Sequence, residues 1–349
     1  MRRSVRDSLF TPATERRLVE LADVDPEEVV EDFADTTVLA DVDVLITSWG
    51  CPPLEHDVLE RAPRLRAVIH TAGSVKHHIT DACWERGIAV SSAAEANAVP
   101  VAEFTLAAIL FAHKRVWQIS TLYRRHRTFL PWTDHFPSVG NHRRTVGLVG
   151  ASRTGRRVLD LLRPFDFDVL VADPYLDDAE ATSLGARLVD LDTLLAASDT
   201  VSLHAPSLPE TRHMIDRERL GMLRDGATLI NTARGEIVDT AALTEECGSG
   251  RIHAVLDVSS PEPLPAASAL YDLPNVLLTP HIAGSVGGEL ERLTDHSLDE
   301  LARFAAGLPF TDPVQPAHLN IRSPLAAPGV AVRAGDAIVA VAGQPVDPV

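Results

Sequence analysis

Two doubly wound parallel-sheet domains, an α/β architecture, are predicted for this 349-residue chain from three features of its sequence. Short apolar runs alternate with helical patterns through most of its length, the rhythm of parallel strands joined by crossover helices. The runs fall into two series separated by a turn-rich segment, PWTDHFPSVGN at 131–141. The second series opens on a strand that passes through glycines into a helix, TVGLVGASRTG.

The first series has strand candidates at Val44–Thr47, Leu65–Thr71 and Ile88–Ser91, then a long helical pattern from about Val99 to Arg127 that carries AEFTLAAILFAHKR. The second runs TVGLVG, DVLVAD, DTVSLH, ATLINTARG, HAVLDVS and NVLLTPH. Six such strands with helices between them suit a nucleotide-binding sheet, whose ligand lies beyond the carboxyl ends of the strands. An amphipathic helix near Leu290 to Gly307 is expected to return to the first domain. The layout is therefore discontinuous: residues 1–98 with 291–318, a nucleotide domain at 99–290, and a tail at 319–349. That tail breaks the pattern with Pro, Gly and Val-rich runs. Its segment AGDAIVAVAGQPV resembles a piece of a PDZ domain, too short for a whole one, so a surface-docked or partly disordered tail is expected rather than a peptide-binding module.

Composition narrows the function classes. With 45% hydrophobic and 23% charged residues the chain reads as a soluble globular protein. No run is read as approaching the roughly eighteen apolar residues that span a bilayer. The start, MRRSVRDSLFTPATERR, has no apolar segment after its basic residues, so no secretory signal is read and a cytoplasmic address is expected. Cys51, Cys83 and Cys247 lack CxxC or metal-ligand spacing, which argues against a disulfide framework and a metal site. A net charge of −17 repels phosphate backbones, and nucleic acid is not an expected partner despite the local run Arg124, Arg125, Arg127.

In the glycine turn, Gly150 and Gly155 stand where a strand bends tightly into a helix, with the helix amides and dipole facing a pyrophosphate. The position where a middle glycine would allow close phosphate approach is Ser152, whose hydroxyl can itself donate to a phosphate oxygen. Asp173 ends VLVAD about twenty residues further on, where a carboxylate accepts from the ribose hydroxyls and repels a 2′-phosphate. That spacing favours NAD, although a strand-end turn residue before Pro174 is a second explanation of Asp173.

Three later segments, INTARGEIVD, LDVSSPEPL and LTPHIAGS, carry an arginine, a glutamate and a histidine at or just past strand ends. Reducing a ketone leaves negative charge on the carbonyl oxygen, so the site needs a proton donor that titrates near neutrality and a fixed cation. Arg234 can grip a carboxylate or carbonyl oxygen in forked geometry. His281 can give the proton, since imidazole has an unperturbed pKa of about 6.5 and a nearby carboxylate such as Glu262 favours its charged form. Protonated His281 then serves ketone reduction and neutral His281 alcohol oxidation. Taken singly, each residue also has a structural reading as a cap, a loop acid or a loop histidine.

These segments, with SLHAPSLPETRHMI, resemble the D-isomer-specific 2-hydroxyacid dehydrogenases over roughly residues 40 to 310. The resemblance implies a flavodoxin-like substrate domain and a Rossmann NAD-binding domain. It implies catalytic roles for Arg234, Glu262 and His281, and cofactor contacts from Gly150, Ser152, Arg153, Thr154, Asp173, His204, Ala205, Pro206, Thr211, Thr232, Ala233, Arg234, His281, Ala283 and Gly284. Asp257 takes the acid that holds the nicotinamide carboxamide. Ala72, Gly73, Ser74 and Val75, with Arg234, resemble the set that binds the substrate carboxylate. Here Lys76-His77-His78 follows that loop, and Ser259 stands where the family packs an aromatic residue. Lys76 either adds a positive charge for a second acidic group or is a solvated side chain. Both departures bear on which 2-keto or 2-hydroxy acid is used more than on the reaction. The family also implies a homodimer joined near the helix Val99–Arg127.

Two readings compete. A non-enzymatic NAD-sensing binding protein can share this fold, and so can a formate or phosphite dehydrogenase. The complete arginine, glutamate and histidine set favours catalysis over sensing. Pro280 ahead of His281, where formate dehydrogenases of this type place glutamine, favours hydroxyacid chemistry.

Overall fold

The structure, a computed structural model, describes residues 1–34, 37–319 and 339–342. The chain divides into two compact units, Met1–Asn97 with Ser285–Pro348, and Ala98–Gly284.

In the first unit the short strand β1 (Val29–Val30) precedes β2 (Val44–Thr47), β3 (Ala67–His70) and β4 (Ala89–Ser92). β2, β3 and β4 pair in parallel in that order. Alternate residues serve opposite faces, as the two-residue period of a strand requires. Leu45, Val68 and Val90 enter one apolar cluster, while Val44, Ile46, Ala67 and Ile69 enter another that the helix Leu290–Ala305 completes with Leu293, Leu298, Leu301 and Phe304. Burial on both faces is why these runs are continuously apolar rather than alternating.

The second unit follows the same rule at larger scale. Its strands are β5 (Thr145–Val149), β6 (Asp168–Ala172), β7 (Arg187–Leu188), β8 (Thr200–Leu203), β9 (Thr228–Asn231), β10 (His253–Leu256) and β11 (Val276–Leu278). They form one sheet in the order β11-β10-β9-β8-β5-β6-β7, all neighbours parallel. Leu203, Leu229 and Leu256 face one core and Leu148, Ile230 and Val255 the other, each almost wholly buried. Complete burial of one such side chain contributes about 1.5–3 kcal/mol. The helices begin where aspartate follows a strand or loop: Asp177, Asp190, Asp216 and Asp239 each accept from a first-turn amide as N-caps. From β5 the chain winds outward through β6 and β7, then returns past β5 to build β8 through β11, so the topological switch point lies between β5 and β8. Seven strands stand where six were expected, because Arg187–Leu188 adds a two-residue edge too short to leave a periodic signal.

Two further expectations are corrected. The helix expected over Val99–Arg127 is two helices, Ala94–His113 and Val116–His126. Arg115 between them takes a left-handed φ of 50°, and its guanidinium donates to Thr228 Oγ1 at 3.0 Å and to the Gly226 carbonyl. Ala94–His113 is also long and apolar enough, by length and composition, to cross a membrane, although half of that apolar stretch is buried inside the protein. Its buried residues, among them Ala98, Ala102, Thr105, Ile109 and Ala112, run along its whole length, with Glu95, Asn97 and Glu103 interspersed toward its start.

The tail brings the largest difference. Residues Val339–Ala342 form β12, which lies between β1 and β2 and pairs with both in parallel, Val341 opposite Val29 on one side and Ile46 on the other. A stretch expected to dock on the surface thus contributes an interior strand. The remainder of the tail, 320–338 and 343–349, falls outside the described residues.

Candidate active site

Six neighbouring strands of the second unit deliver candidate residues at their carboxyl ends: Asp173 after β6, Gly150 after β5, His204 after β8, Thr232–Arg234 after β9, Asp257 after β10 and His281 after β11. With parallel strands about 4.8 Å apart, this row crosses the sheet on one edge.

The glycine turn is shaped by contact. Gly150 has φ +94°, and a Cβ there would meet Ala205 N at 2.7 Å; one on Gly155 would meet Gly150 O at 2.2 Å. Only bare backbone allows the helix Arg153–Leu162 to cross this close to β5 and β8. Ser152 is that helix's N-cap and accepts from Gly155 N at 3.4 Å, which leaves its hydroxyl proton free of the cap. Arg153 and Thr154 occupy the first turn, where amides lack intrahelical acceptors. The Asp173 carboxylate accepts from Ala151 N at 2.7 Å and Tyr175 N at 2.8 Å, tying the ribose candidate to the turn.

His204 is 4% exposed and pairs through Nε2 with Ser202 Oγ at 2.9 Å, and burial pushes its pKa down to about 3. It is a neutral wall rather than a charge. Ala205 is buried beside it, and after Pro206 the Thr211 hydroxyl donates to the Pro206 carbonyl at 2.6 Å, so Thr211 braces this loop. Thr232 Oγ1 meets Thr105 Oγ1 at 2.9 Å.

Sequence reasoning missed two residues that build the arginine turn. The Asn231 side chain accepts from Ala233 N on Oδ1 at 3.1 Å and donates from Nδ2 to Arg234 O at 2.9 Å, bracketing the turn from both sides. A Cβ on Gly235 would lie 2.0 Å from the Ser259 backbone, so only glycine lets the arginine turn press against the loop that carries Glu262. The polar residue ending the apolar run TLIN, and the glycine after the arginine, are the only sequence signals of this. Arg234 itself is exposed, with Nη1 donating to Ala233 O at 2.6 Å.

His281 Nδ1 meets Glu262 Oε1 at 2.8 Å, with side chains 50% and 38% exposed. The opposite ring nitrogen, Nε2, takes no part in this contact. Beside the pair a cavity of about 550 Å³ opens, walled by Leu264, Leu270, Tyr271 and Leu278. Ser259 is also among its lining residues. Both carboxylate oxygens of Asp257 accept from residues 279–283, whose Ala283 is buried and precedes Gly284.

In the first unit, Gly73, Ser74 and Val75 lie in the loop after β3. Val75 is buried, and a Cβ on Gly73 would meet only Asn97 Nδ2 at an ordinary 3.5 Å, so no steric demand fixes glycine there.

Fold and site together define a dinucleotide-binding α/β protein. The sequence profile of the D-isomer specific 2-hydroxyacid dehydrogenase NAD binding domain matches residues 106–283, about half of the chain, and a Tricorn protease PDZ domain profile matches 312–349. A D-3-phosphoglycerate dehydrogenase of Methanocaldococcus jannaschii is 33% identical over 71% of this chain, which spans only 47% of that protein's length. A glyoxylate reductase of Thermofilum pendens is 35% identical, covering 73% of this chain and 76% of that protein. The solved D-lactate dehydrogenase of Aquifex aeolicus, complexed with NAD and lactic acid, superimposes with a TM-score of 0.66 at 27% identity, covering 85% of this chain and 92% of the other. The chain belongs to the D-isomer specific 2-hydroxyacid dehydrogenase family.

Proposed function

We propose that the chain is an NAD-dependent dehydrogenase that interconverts a small 2-keto acid and its 2-hydroxy acid. The observation that carries this reading is the 2.8 Å contact between His281 Nδ1 and Glu262, with Arg234 on the adjacent turn. The close-packed backbone at Gly150 and Gly155 fits a pyrophosphate cradle, with Ser152, Arg153 and Thr154 lending donors and Asp173 receiving the ribose hydroxyls. When bound there, nicotinamide supplies or takes up the hydride. Arg234 holds the acid's carboxylate and polarises its carbonyl through charge-assisted hydrogen bonds. Gly73, Ser74 and Val75, after β3 in the first unit, offer backbone donors for an acid's carboxylate. Protonated His281 gives its proton to the carbonyl oxygen in reduction, and the Glu262 carboxylate steadies the imidazolium; in oxidation neutral His281 takes the proton back.

The relatives named glyoxylate reductase and D-3-phosphoglycerate dehydrogenase support a small acid substrate. We place the protein in the cytoplasm as a homodimer, supported by three free buried thiols and by the exposed aromatic side chains Phe111, Tyr123 and Phe129 on and after the helices Ala94–His113 and Val116–His126. The test is NADH oxidation against glyoxylate, hydroxypyruvate, pyruvate and bulkier 2-keto acids, with wild type and His281→Gln. The variant is expected to lose about 100- to 10,000-fold in turnover while still binding NADH. Wild type that binds NADH and oxidises it with no acid in the panel points to a sensor instead.

A further inference from the structure

Asp257 has almost no surface, 1% exposed, yet it accepts more hydrogen bonds than any expected role requires. Oδ1 takes the Thr279 hydroxyl at 2.7 Å and the Ile282 amide at 2.8 Å, and Oδ2 takes the Ala283 amide at 2.9 Å. Its main chain joins in: the Asp257 carbonyl accepts from His281 N at 2.9 Å, and Asp257 N donates to Asn231 O at 3.0 Å. All of these partners on the β11 side flank one residue, His281, which adopts a left-handed φ of 55°. A non-glycine residue in that region is strained by about 1 kcal/mol or more and persists where its surroundings over-determine it. Donors converge here from before and after the strained residue, and one carboxylate receives them.

We propose that Asp257 is a positioning residue that clamps Thr279–Ala283 so that His281 presents its free ring nitrogen to the reacting oxygen while Nδ1 stays on Glu262. This rests on the dehydrogenase reading above. A carboxylate is required because it is acceptor-only on both oxygens. Asparagine turns an NH2 toward either the Ala283 or the Ile282 backbone N–H, neither of which can accept, setting donor against donor. The His281 turn then relaxes, and misplacement of a reacting group by about 1 Å lowers turnover on the order of 100-fold.

The alternative occupation of this acid, accepting from the carboxamide NH2 of nicotinamide, makes the opposite prediction with an altered cofactor. NADH and the reduced 3-acetylpyridine adenine dinucleotide, which lacks that NH2, are to be compared in Asp257→Asn and wild type. Clamping predicts the same loss of kcat with both cofactors, little change in KM for either, and a displaced pH profile of kcat. A loss confined to NADH and expressed in KM overturns it. Thr279→Val removes one donor without touching the carboxylate and is expected to lose kcat by a smaller factor that Thr279→Ser restores; full activity in Thr279→Val also overturns the clamp. Hydrogen exchange separates this inference from the function it rests on. The Ile282 and Ala283 amides should exchange at least tenfold faster in Asp257→Asn whether or not any 2-keto acid is turned over, and unchanged exchange sinks the clamp alone. Failure of wild type to oxidise NADH sinks the dehydrogenase reading alone.

Discussion

The sheet of the second unit is assembled entirely from strands between Thr145 and Leu278, whereas the sheet of the first takes an interior strand, β12, from Val339–Ala342, nearly three hundred positions after the β2 strand it pairs with. One unit closes on local sequence. The other depends on a distant segment, and β1 reaches the sheet only through it. The difference teaches where each unit is vulnerable: the second at the residues that end its strands, the first at a backbone ladder whose partner lies far along the chain. The entropic cost of loop closure rises only slowly with separation, so the arrangement is thermodynamically accessible.

Perturbing each unit separately sharpens this contrast. Arg234→Ala is expected to lower kcat/KM on the order of 100- to 1,000-fold, since it removes a fixed donor from the developing charge, with unfolding of both units unchanged. A smaller loss than tenfold in steady-state kinetics would detach Arg234 from the substrate. Next, Gly155→Val forces a side chain where Gly150 O stands 2.2 Å from an ideal Cβ. NADH affinity, read by fluorescence titration, should weaken at least about tenfold as the helix is pushed off the turn, while the first unit's melting transition stays in place. Equal destabilisation of both units would break the comparison.

Val341→Pro tests the other side. Proline removes an amide from a strand with neighbours on both edges. The first unit should lose about 1–3 kcal/mol of stability, with NADH binding by the second unchanged. An unaltered melting profile would show that β12 is dispensable and that the two sheets are alike in being locally closed.

The smallest effect concerns acid. Burial pushes His204 to about 3 and His113 and His253 to about 4 in the second unit, and His78 to about 4 in the first. Each folded value lies below the unfolded value near 6.5, so the unfolded chain binds more protons below that pH. Stability is full above about 6.5 and falls as pH drops toward 3 or 4. For a single histidine the loss between pH 6.5 and 5.5 is about 1 kcal/mol. Thermal melts of wild type and His204→Asn at the two pH values should differ by that amount, and identical pH dependence would assign the acid sensitivity elsewhere.

Much of the second unit was legible because its signals are local. Continuous apolar runs such as TVGLV and TVSL mark strands buried on both faces, Asp177, Asp190, Asp216 and Asp239 mark helix starts, and Gly150 and Gly155 mark a turn that no side chain fits. The candidate residues were legible as members of the runs they terminate. Asn231, Gly235 and Thr279 were not, since their partners Ala233, Ser259 and Asp257 are brought to them by turns and by a neighbouring strand rather than by periodicity. β7 left no pattern because two residues have no period, and the break at Arg115 was hidden because an arginine inside a helical pattern signals continuation until its guanidinium finds Thr228 and Gly226.

Sequence alone determined that strands and helices alternate, which faces are apolar, and which residue types stand at the strand ends, because burial and backbone geometry act over a few neighbouring positions. Tertiary structure alone decided that a segment resembling part of a PDZ domain becomes an inner strand of the first sheet, and that Asp257 faces the His281 turn. Both are matters of which distant backbone edge or amide a group meets, and hydrogen-bond partners chosen across a fold leave no trace in the order of residues along the chain.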